Sequence, residues 1–412
     1  MGRSGIAHAS AYSSEGEISM PHQEHFLPAK AVPRESLHHF FGYYDKCPWD
    51  KSGRHLLCLE VDFFDRPPAP EDVVTIVSVD LAEEKLVTLL ASTTAWNWQM
   101  GTILQWLATD PDRLIIYNSR EEGRFVSVIQ DALTSEKRVL PRPVYAVGRD
   151  AKFAMTLDFE RVADMRPGYG YVGVPDRGKD NPHPDDEGIY YLDLATGENH
   201  LVISLDQIVK IEPEASFEGA KHWFNHLLVN QDNTRFIFLH RWKTDGPWKT
   251  RLFTARPDGS DIVLVNRDDM TSHFDYKSPR KILAWATQFD AGNHYYVFND
   301  ETGERQIVGE DVLTCDGHCS YSPDGQWILT DTYPDEEHKR ALILYRIGQN
   351  DRIDVGKFYS PPDRQGEIRC DLHPRWNRDG TQICFDSMHE GSRQVYVMDV
   401  SEIISSYRRN NH

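Results

Sequence analysis

Four histidines occupy the same place in four similar segments of the chain. Each lies six residues before a turn, in the segments HLLVNQDN from His226, HFDYKSPR from His273, HCSYSPDG from His318 and HPRWNRDG from His373. Imidazole exchanges a proton near neutral pH, and the neutral ring is a common metal ligand. Four such rings in one register indicate a site of acid–base or metal chemistry.

Two of these segments also carry an aspartate two residues before the histidine. Since alternate residues of a strand face the same side, Asp316 is expected to point with His318 and Asp371 with His373. Imidazole and carboxylate together suit a divalent ion such as Mn²⁺, Zn²⁺ or Ca²⁺. We therefore expect a metal at these four residues. The alternative is that they cap strand ends by hydrogen bonding to the backbone of a narrow channel.

The elements that must position these residues form a repeat. Seven apolar runs typical of buried strands recur: RHLLCLE from Arg54, RLIIYN from Arg113, KFAMTLD from Lys152, RFIFLH from Arg235, KILAWA from Lys281, QWILTD from Gln326 and QICFDS from Gln382. A second strand and a turn follow each run. The repeat averages about 52 residues, the size of a four-stranded propeller blade. The sequence predicts an all-β, seven-bladed β-propeller of four-stranded antiparallel blades, with paired β-sandwiches or a parallel β-helix as alternatives.

The propeller is expected to span residues 29–405 as one domain. Residues 1–28 are polar and predicted to be a disordered extension, and residues 406–412 a polar tail. The last blade lacks an outer strand of its own, which residues 30–35 are expected to supply. The six cysteines lie mostly in predicted strands, which suits reduced thiols in a cytoplasmic protein.

The formal net charge of −19 argues against nucleic acid or an anionic membrane as a partner. It does not exclude a small acidic substrate, because a few arginines in a cleft can set the local field. The sequence carries no signal that indicates an oligomeric state.

Further candidates share the face of the histidines. In a propeller the second strand of a blade returns to the end where the inner strand begins, so the residues that follow it belong there. We expect substrate-binding residues in this group: Arg120, Arg161, His240, Arg241, Tyr333 and His389. The long insertion 159–187 emerges at the same face and adds Arg166 and Tyr169. Gln99, in an aromatic segment of the first blades, is a further polar candidate.

The motifs SHFDY at His273, GHCSYSPDG at His318 and LHPRWNRDG at His373 resemble those of the β-propeller polysaccharide lyases. The resemblance is nearest to the oligogalacturonate lyases, with kinship to ulvan lyases and rhamnose-glucuronate lyases, and it covers the chain from about His38. It implies that His273, 45 residues before His318, is the catalytic base, and that His318 and His373 bind the metal. The family has a His-x-His pair and a glutamine in its final blade, where this chain has Asp371, His373 and Ile368.

The resemblance further implies β-elimination at a uronic acid residue of a short acidic oligosaccharide. In that reaction the metal or Arg241 neutralises the substrate carboxylate, His273 removes a proton, and His226 or Tyr169 assists the leaving group. Two alternatives stay open. One is a glycoside hydrolase on the same scaffold, and the other is a non-catalytic, TolB-like binding module.

Overall fold

Short runs of β-branched, leucine and aromatic residues alternate with turns along the chain and fold into seven sheets. The computed structural model describes residues 22–33, 37–83 and 87–409. From the innermost strand outward, blade 1 contains His38–Phe40, His55–Val61, Val74–Asp80 and Val87–Thr93; blade 2, Gln105–Trp106, Leu114–Glu121, Arg124–Asp131 and Lys137–Leu140; blade 3, Ala146–Val147, Phe153–Leu157, Gly188–Asp193 and Asn199–Ser204. Blade 4 contains Lys221–Val229, Phe236–Lys243, Lys249–Ala255 and Val263–Asn266; blade 5, Thr271–Ser278, Lys281–Gln288, Gly292–Asn299 and Arg305–Val308. Blade 6 contains Ser320–Tyr321, Trp327–Asp331, Lys339–Arg346 and Asp351–Tyr359; blade 7, Arg375–Trp376, Gln382–Ser387 and Gln394–Asp399. The predicted seven-bladed propeller is confirmed.

The two ends of the described chain complete the last two blades. Ala29–Ala31 pairs antiparallel with Gln394–Asp399 and is the outer strand of blade 7, as the sequence predicts. His22–Glu24 pairs parallel with Asp351–Tyr359 as a fifth strand of blade 6. The extension predicted over residues 1–28 is therefore too long at its end, because backbone pairing begins at His22. Residues 1–21 lie outside the described part of the chain.

The described residues form three α-helices and two 3₁₀ turns: Phe159–Met165, Leu205–Val209, Ser401–Arg409, Ala215–Phe217 and Gly366–Ile368. The last helix runs past residue 405, so ordered structure continues into the segment predicted as a tail. Residues 410–412 lie outside the described chain. None of the described helices is long and apolar enough to cross a membrane. No disulfide joins the six cysteines, all of which lie in the described part of the chain.

Each blade is buried on both faces, which explains why its central strands are almost continuously apolar. Phe153–Leu157, for example, is buried at every position. Burying a large apolar side chain contributes about 1.5 to 3 kcal/mol. The stacked sheets therefore form a rigid frame around the channel.

Two tyrosines from the start of the chain fill the middle of that channel. Gly42 has φ +124° and packs so closely that a Cβ atom there would lie 2.7 Å from the carbonyl oxygen of Met100. This bend directs Tyr43 and Tyr44 into the channel. The Tyr44 hydroxyl donates to the carbonyl of Phe274 and accepts from its N–H, both at 2.9 Å. The side chains of Tyr43 and Tyr44, the tyrosine plug, separate the two mouths of the channel.

Candidate active site

The four histidines of the common register converge at one mouth of the channel. The ring centroids of His273 and His318 are 4.0 Å apart, and those of His318 and His373 are 4.3 Å apart. His226 joins them through Tyr43, whose ring stacks on His226 at 4.9 Å and lies 5.0 Å from His373. All four imidazoles are more than nine-tenths buried. The structure thus brings together the residues that the repeat singled out.

Irregular backbone sets the directions of these rings. The pairing register of the inner strand shifts around His226 and around His273. His226 has φ +51° and His373 has φ +43°, a region that residues other than glycine rarely adopt. Strain of this kind costs about 1 to 3 kcal/mol per residue and is concentrated at functional sites.

Asp371 lies with His373, as predicted, but Asp316 does not lie with His318; both segments, 316–318 and 371–373, precede the strands, so strand alternation does not fix their side chains. Asp316 does not pair with His318. Its Oδ1 lies 2.9 Å from Nδ1 of His273, across the boundary between blades 5 and 6. The expectation that Asp316 belongs with the metal ligands is therefore corrected: it is the partner of His273.

His318 is hydrogen-bonded to a different carboxylate, that of Asp331 in the next strand of its own blade. Asp331 accepts from the backbone N–H of His318 at 2.7 Å and lies 2.9 Å from its Nδ1. Gly317 permits this approach, since a Cβ atom there would lie 1.9 Å from the Asp331 carbonyl oxygen. With the hydrogen held on Nδ1, the lone pair of His318 is on Nε2, which has no partner.

Three buried side chains form a candidate metal centre. Ligand atoms of His318, Asp371 and His373 all lie within 4.8 Å of one another. Besides Nε2 of His318, both ring nitrogens of His373 lack a hydrogen bond among the described residues. Buried polar atoms are nearly always satisfied, so this cluster of orphaned donors and acceptors fits a bound cation. Burial lowers the pKa of both histidines and keeps the rings neutral, as metal ligation requires.

Asp371 is held as an anion by two arginines. Nη2 of Arg340 lies 2.8 Å from Oδ1, and Nε of Arg369 donates to Oδ2 at 2.7 Å. Burial opposes ionisation of this carboxyl, but Arg369 and Arg340 hold its pKa well below the usual range. The donor set is therefore two neutral imidazoles and one carboxylate, which suits Mn²⁺ or Zn²⁺ better than the all-oxygen preference of Ca²⁺.

Two arginines, Arg166 and Arg241, face the same mouth of the channel as the four histidines. Arg241 is 6% exposed, and its guanidinium pairs with no carboxylate among the described residues. Burial, and then Arg166, lower its pKa to about 10. The indole of Trp248 lies 4.3 Å from the guanidinium carbon of Arg166 and 5.9 Å from that of Arg241. A buried cation without a partner anion is costly, and an anion bound beside it would offset that cost.

Tyr169 comes from the predicted insertion and reaches the centre of the site. Nη2 of Arg369 donates to its hydroxyl at 2.6 Å, which leaves the phenolic hydrogen free for another acceptor. The Tyr169 ring also meets His226 edge-on at 5.4 Å. His226 is itself occupied, with Tyr145 at 3.1 Å from Nδ1 and Tyr43 at 3.4 Å from Nε2.

Tyr333 stands at the rim of the site. It is 41% exposed, and its ring lies 6.5 Å from His273 and 6.3 Å from His318. An exposed aromatic ring next to buried polar groups is a platform on which a sugar ring can stack.

The remaining predicted residues are not brought to the four histidines. Arg161 is buried and donates to the backbone carbonyls of His222, Gly178, Asn181 and Pro182, so it holds the insertion in place. His240 pairs with His222 at 2.9 Å inside blade 4. His389 packs on Tyr396 and Phe358 with centroids 4.4 and 4.9 Å away.

Two further candidates support the site from outside. The Gln99 amide donates to the carbonyls of Glu367 and Arg369, and it braces the loop that carries Arg369. Arg120 donates to the carbonyl of Pro70 at 2.6 Å and packs against Gly173 of the insertion.

Sequence reasoning missed several residues of this site: Asp331, Arg340, Arg369, Trp248 and Tyr145. No local motif marks them. For Asp331 a signal existed, because it ends the strand QWILTD, which pairs directly with the inner strand after His318.

No family model matches the chain. Two solved structures, an oligogalacturonate lyase in complex with manganese and an oligogalacturonate lyase from Vibrio parahaemolyticus, each superpose with a TM-score of 0.63. Their identities to this chain are 16% and 15%, and the matches cover 93% and 92% of this chain and 100% and 98% of theirs. The chain shares its fold with these two lyases. The β-propeller domain of the Trilobed protease from Pyrococcus furiosus gives a TM-score of 0.50 at 13% identity, over 88% of this chain and 95% of that domain.

Proposed function

We propose that this protein is a lyase that cleaves short uronic-acid-containing oligosaccharides by β-elimination, in the cytoplasm. The observation that carries the proposal is one pair of neighbours. His273, oriented by the Asp316 carboxylate, lies 4.0 Å by ring centroids from His318 of the candidate metal centre. The proposal makes His273 a base that lies beside groups able to neutralise a substrate carboxylate.

Within the sugar, β-elimination breaks the C5–H and C4–O4 bonds and forms one π bond, while a proton passes to a base and another comes from an acid. A base removes the hydrogen on C5 of the uronate, the C5–H electron pair becomes the C4–C5 double bond, and the C4–O4 bond breaks. The oxygen leaves with a proton from an acid. The C5 hydrogen is only weakly acidic, so charge developing on the adjacent carboxylate must be stabilised.

His273 has the arrangement required of the base. Asp316 holds the hydrogen on Nδ1, so the lone pair is on Nε2, which has no hydrogen-bond partner among the described residues. The neighbouring carboxylate also stabilises the imidazolium that forms when the proton is taken. Asp316 is therefore a positioning residue.

Arg241 supplies a cation for the substrate carboxylate. Its charge has no anionic partner, so a substrate carboxylate would gain a charge-assisted pair in a dry environment. A divalent ion held by His318, Asp371 and His373 would supply further stabilisation of negative charge on that carboxylate.

Tyr169 is a better candidate than His226 for the acid. Its hydroxyl accepts from Arg369, so its own hydrogen can be donated to the leaving O4. Both ring nitrogens of His226 already face tyrosine hydroxyls, and burial lowers the pKa of His226, so it stays neutral and occupied.

The proposal is tested with a panel of saturated oligouronides, incubated with the protein and Mn²⁺. The expected result is ultraviolet absorbance from the new double bond, together with an unsaturated product by mass spectrometry. New reducing ends without unsaturation would instead identify a hydrolase. The absence of both signals across the panel would reject the proposal.

A further inference from the structure

A second cavity lies at the opposite mouth of the channel, beyond the tyrosine plug. It has a volume of about 460 Å³. Blades 4 to 7, which supply the four histidines, also line this cavity, with Gln231, Tyr276, Tyr321 and Trp376 at or near the turn ends of their inner strands. With a rise of about 3.3 Å per residue, the three residues from His273 to Tyr276 separate the two sites by about 10 Å.

Tyr44 is the partition between the cavity and the histidines. Its ring centroid lies 5.4 Å from that of His318 and 5.9 Å from that of His273, and it also lines the cavity. Both hydrogen bonds of its hydroxyl go to the backbone of Phe274, which fixes the ring in place. A ligand in this cavity would therefore not contact the candidate catalytic groups.

The charged side chains that line the cavity have no net charge. Asp45 is paired with Lys46 at 2.8 Å, and both side chains are at least 89% buried. Asp275 lies near enough to the exposed Arg149 for that guanidinium to lower its pKa, although burial is the larger influence and raises it to about 6. Two carboxylates and two cations leave no net charge for an anionic or a cationic ligand to neutralise.

Polar side chains also line the cavity, among them Gln231, Asp275 and Arg149. Trp376 and Tyr321 add aromatic surface beside the polar groups. Acceptor carboxylates, donor cations and aromatic rings around one cavity are the groups that bind the hydroxyls and apolar ring faces of a sugar.

We propose that this second cavity binds a neutral sugar unit, separately from the uronate-cleaving site. Asp275 and Asp45 would accept from sugar hydroxyls, Arg149 would donate to sugar oxygens from the open side, and the rings of Trp376 and Tyr321 would pack against the sugar. The inference stands apart from the lyase proposal, because it requires no turnover.

The test is binding of single sugars to the full chain by isothermal titration calorimetry and saturation-transfer NMR. The probes are D-galactose, L-rhamnose and D-glucose as neutral sugars, D-galacturonate as the anion and L-alanine as a zwitterion. We expect at least one neutral sugar to bind, and to bind more tightly than the other two classes of probe. Binding of galacturonate or alanine alone, or of no probe, would overturn the proposal.

Variants locate the binding. Asp275→Asn, which removes a charged acceptor, is expected to weaken the neutral sugar by about tenfold. Because Asp275 also accepts from the N–H of Tyr321 at 2.8 Å, a second variant is needed in case the first fails to fold. Arg149→Ala serves, since Arg149 is exposed and its guanidinium has no partner carboxylate within hydrogen-bond distance among the described residues. Asp290→Asn, on the outer part of blade 5, is the matched control and should bind as the wild type does. Unchanged affinity in both cavity variants would overturn the assignment.

Discussion

Nδ1 of His273 lies 2.9 Å from Oδ1 of Asp316, and the two residues belong to successive blades. The dyad therefore exists only when blades 5 and 6 are stacked. It orients the ring with Nε2 toward the shared mouth of the channel, next to the metal candidates.

Replacing Asp316 by asparagine should lower kcat by about a hundredfold while KM changes little. The amide can donate to Nδ1, so the ring loses its preference for the tautomer with a free Nε2. The split between kcat and KM is the deciding readout, because a residue that only orients the base changes the chemical step and leaves substrate binding almost unchanged. Asp311→Asn, exposed in the preceding loop, should behave as the wild type does. An unchanged kcat in the Asp316 variant, or a loss that lies in KM alone, would exclude a positioning role.

Arg241→Met should make the protein more stable and less active. The buried guanidinium pairs with no carboxylate among the described residues, and burial, the main cause that lowers its pKa to about 10, costs the folded state a few kcal/mol at neutral pH. The methionine variant should therefore unfold at higher urea concentration but lose at least about tenfold in kcat/KM. Arg177→Met, at a mostly exposed arginine that pairs with Glu187 at 3.2 Å, is the control. A less stable Arg241→Met protein would mean that the guanidinium has a partner in solution.

Metal binding should require the candidate metal centre of His318, Asp371 and His373. Titration calorimetry with Mn²⁺ and with Zn²⁺ is expected to give one site in the wild type, and none in His373→Ala or Asp371→Asn. The ion should also raise the melting temperature of the wild type, because it satisfies atoms that otherwise lack partners. His200→Ala removes an exposed histidine and should leave binding intact. Equal binding by the Asp371 and His373 variants would place the ion elsewhere.

Acid should destabilise the protein partly through the histidine pair in blade 4. Burial lowers the pKa of His222 to about 3, so below about pH 6.5 the unfolded chain binds a proton that the folded chain does not. The free energy of unfolding therefore falls as pH falls from about 6.5 toward 3. Buried carboxyls act in the opposite direction, since burial raises the pKa of Asp158 to about 6 and that of Glu160 to about 7.

One variant separates the contribution of His222 to the pH dependence of the free energy of unfolding from that of the buried carboxyls. His222→Gln should lose about 2 kcal/mol less than the wild type between pH 7 and pH 5 in urea unfolding. Its partner His240 lies 2.9 Å away and is also kept neutral by burial, so it should titrate in the same direction in both proteins. Equal losses in the two proteins would contradict the assignment.

The fold was predictable because its signals are local. Strand runs, turns and their spacing determine seven blades, and the shared register of the histidines predicts their meeting point. His240 illustrates where this reasoning failed. The sequence assigns His240 and Arg241 to the histidine face as residues that follow the second strand, but both lie within the strand Phe236–Lys243, where neighbouring residues point to opposite sides. Arg241 therefore faces the site, and His240 faces the interior of blade 4.

The partners of the histidines were less predictable, because they depend on irregular backbone and on contacts between blades. Alternation assigned Asp316 to His318, yet the segment before Ser320 is not a strand, and His273 of the neighbouring blade is closer. Arg369 and Arg340 reach Asp371 from a loop and from a strand of another blade. Such contacts appear only when the ring of blades is closed.

The most direct test of the proposed chemistry compares the wild type with His273→Ala on a saturated oligouronide that the wild type cleaves. Both proteins are loaded with Mn²⁺, and both are shown to bind it equally by calorimetry. The account predicts an unsaturated product from the wild type and a loss of at least about a hundredfold in its rate of formation from the variant. Unsaturated product formed at the same rate by both proteins would contradict the assignment of His273 as the base.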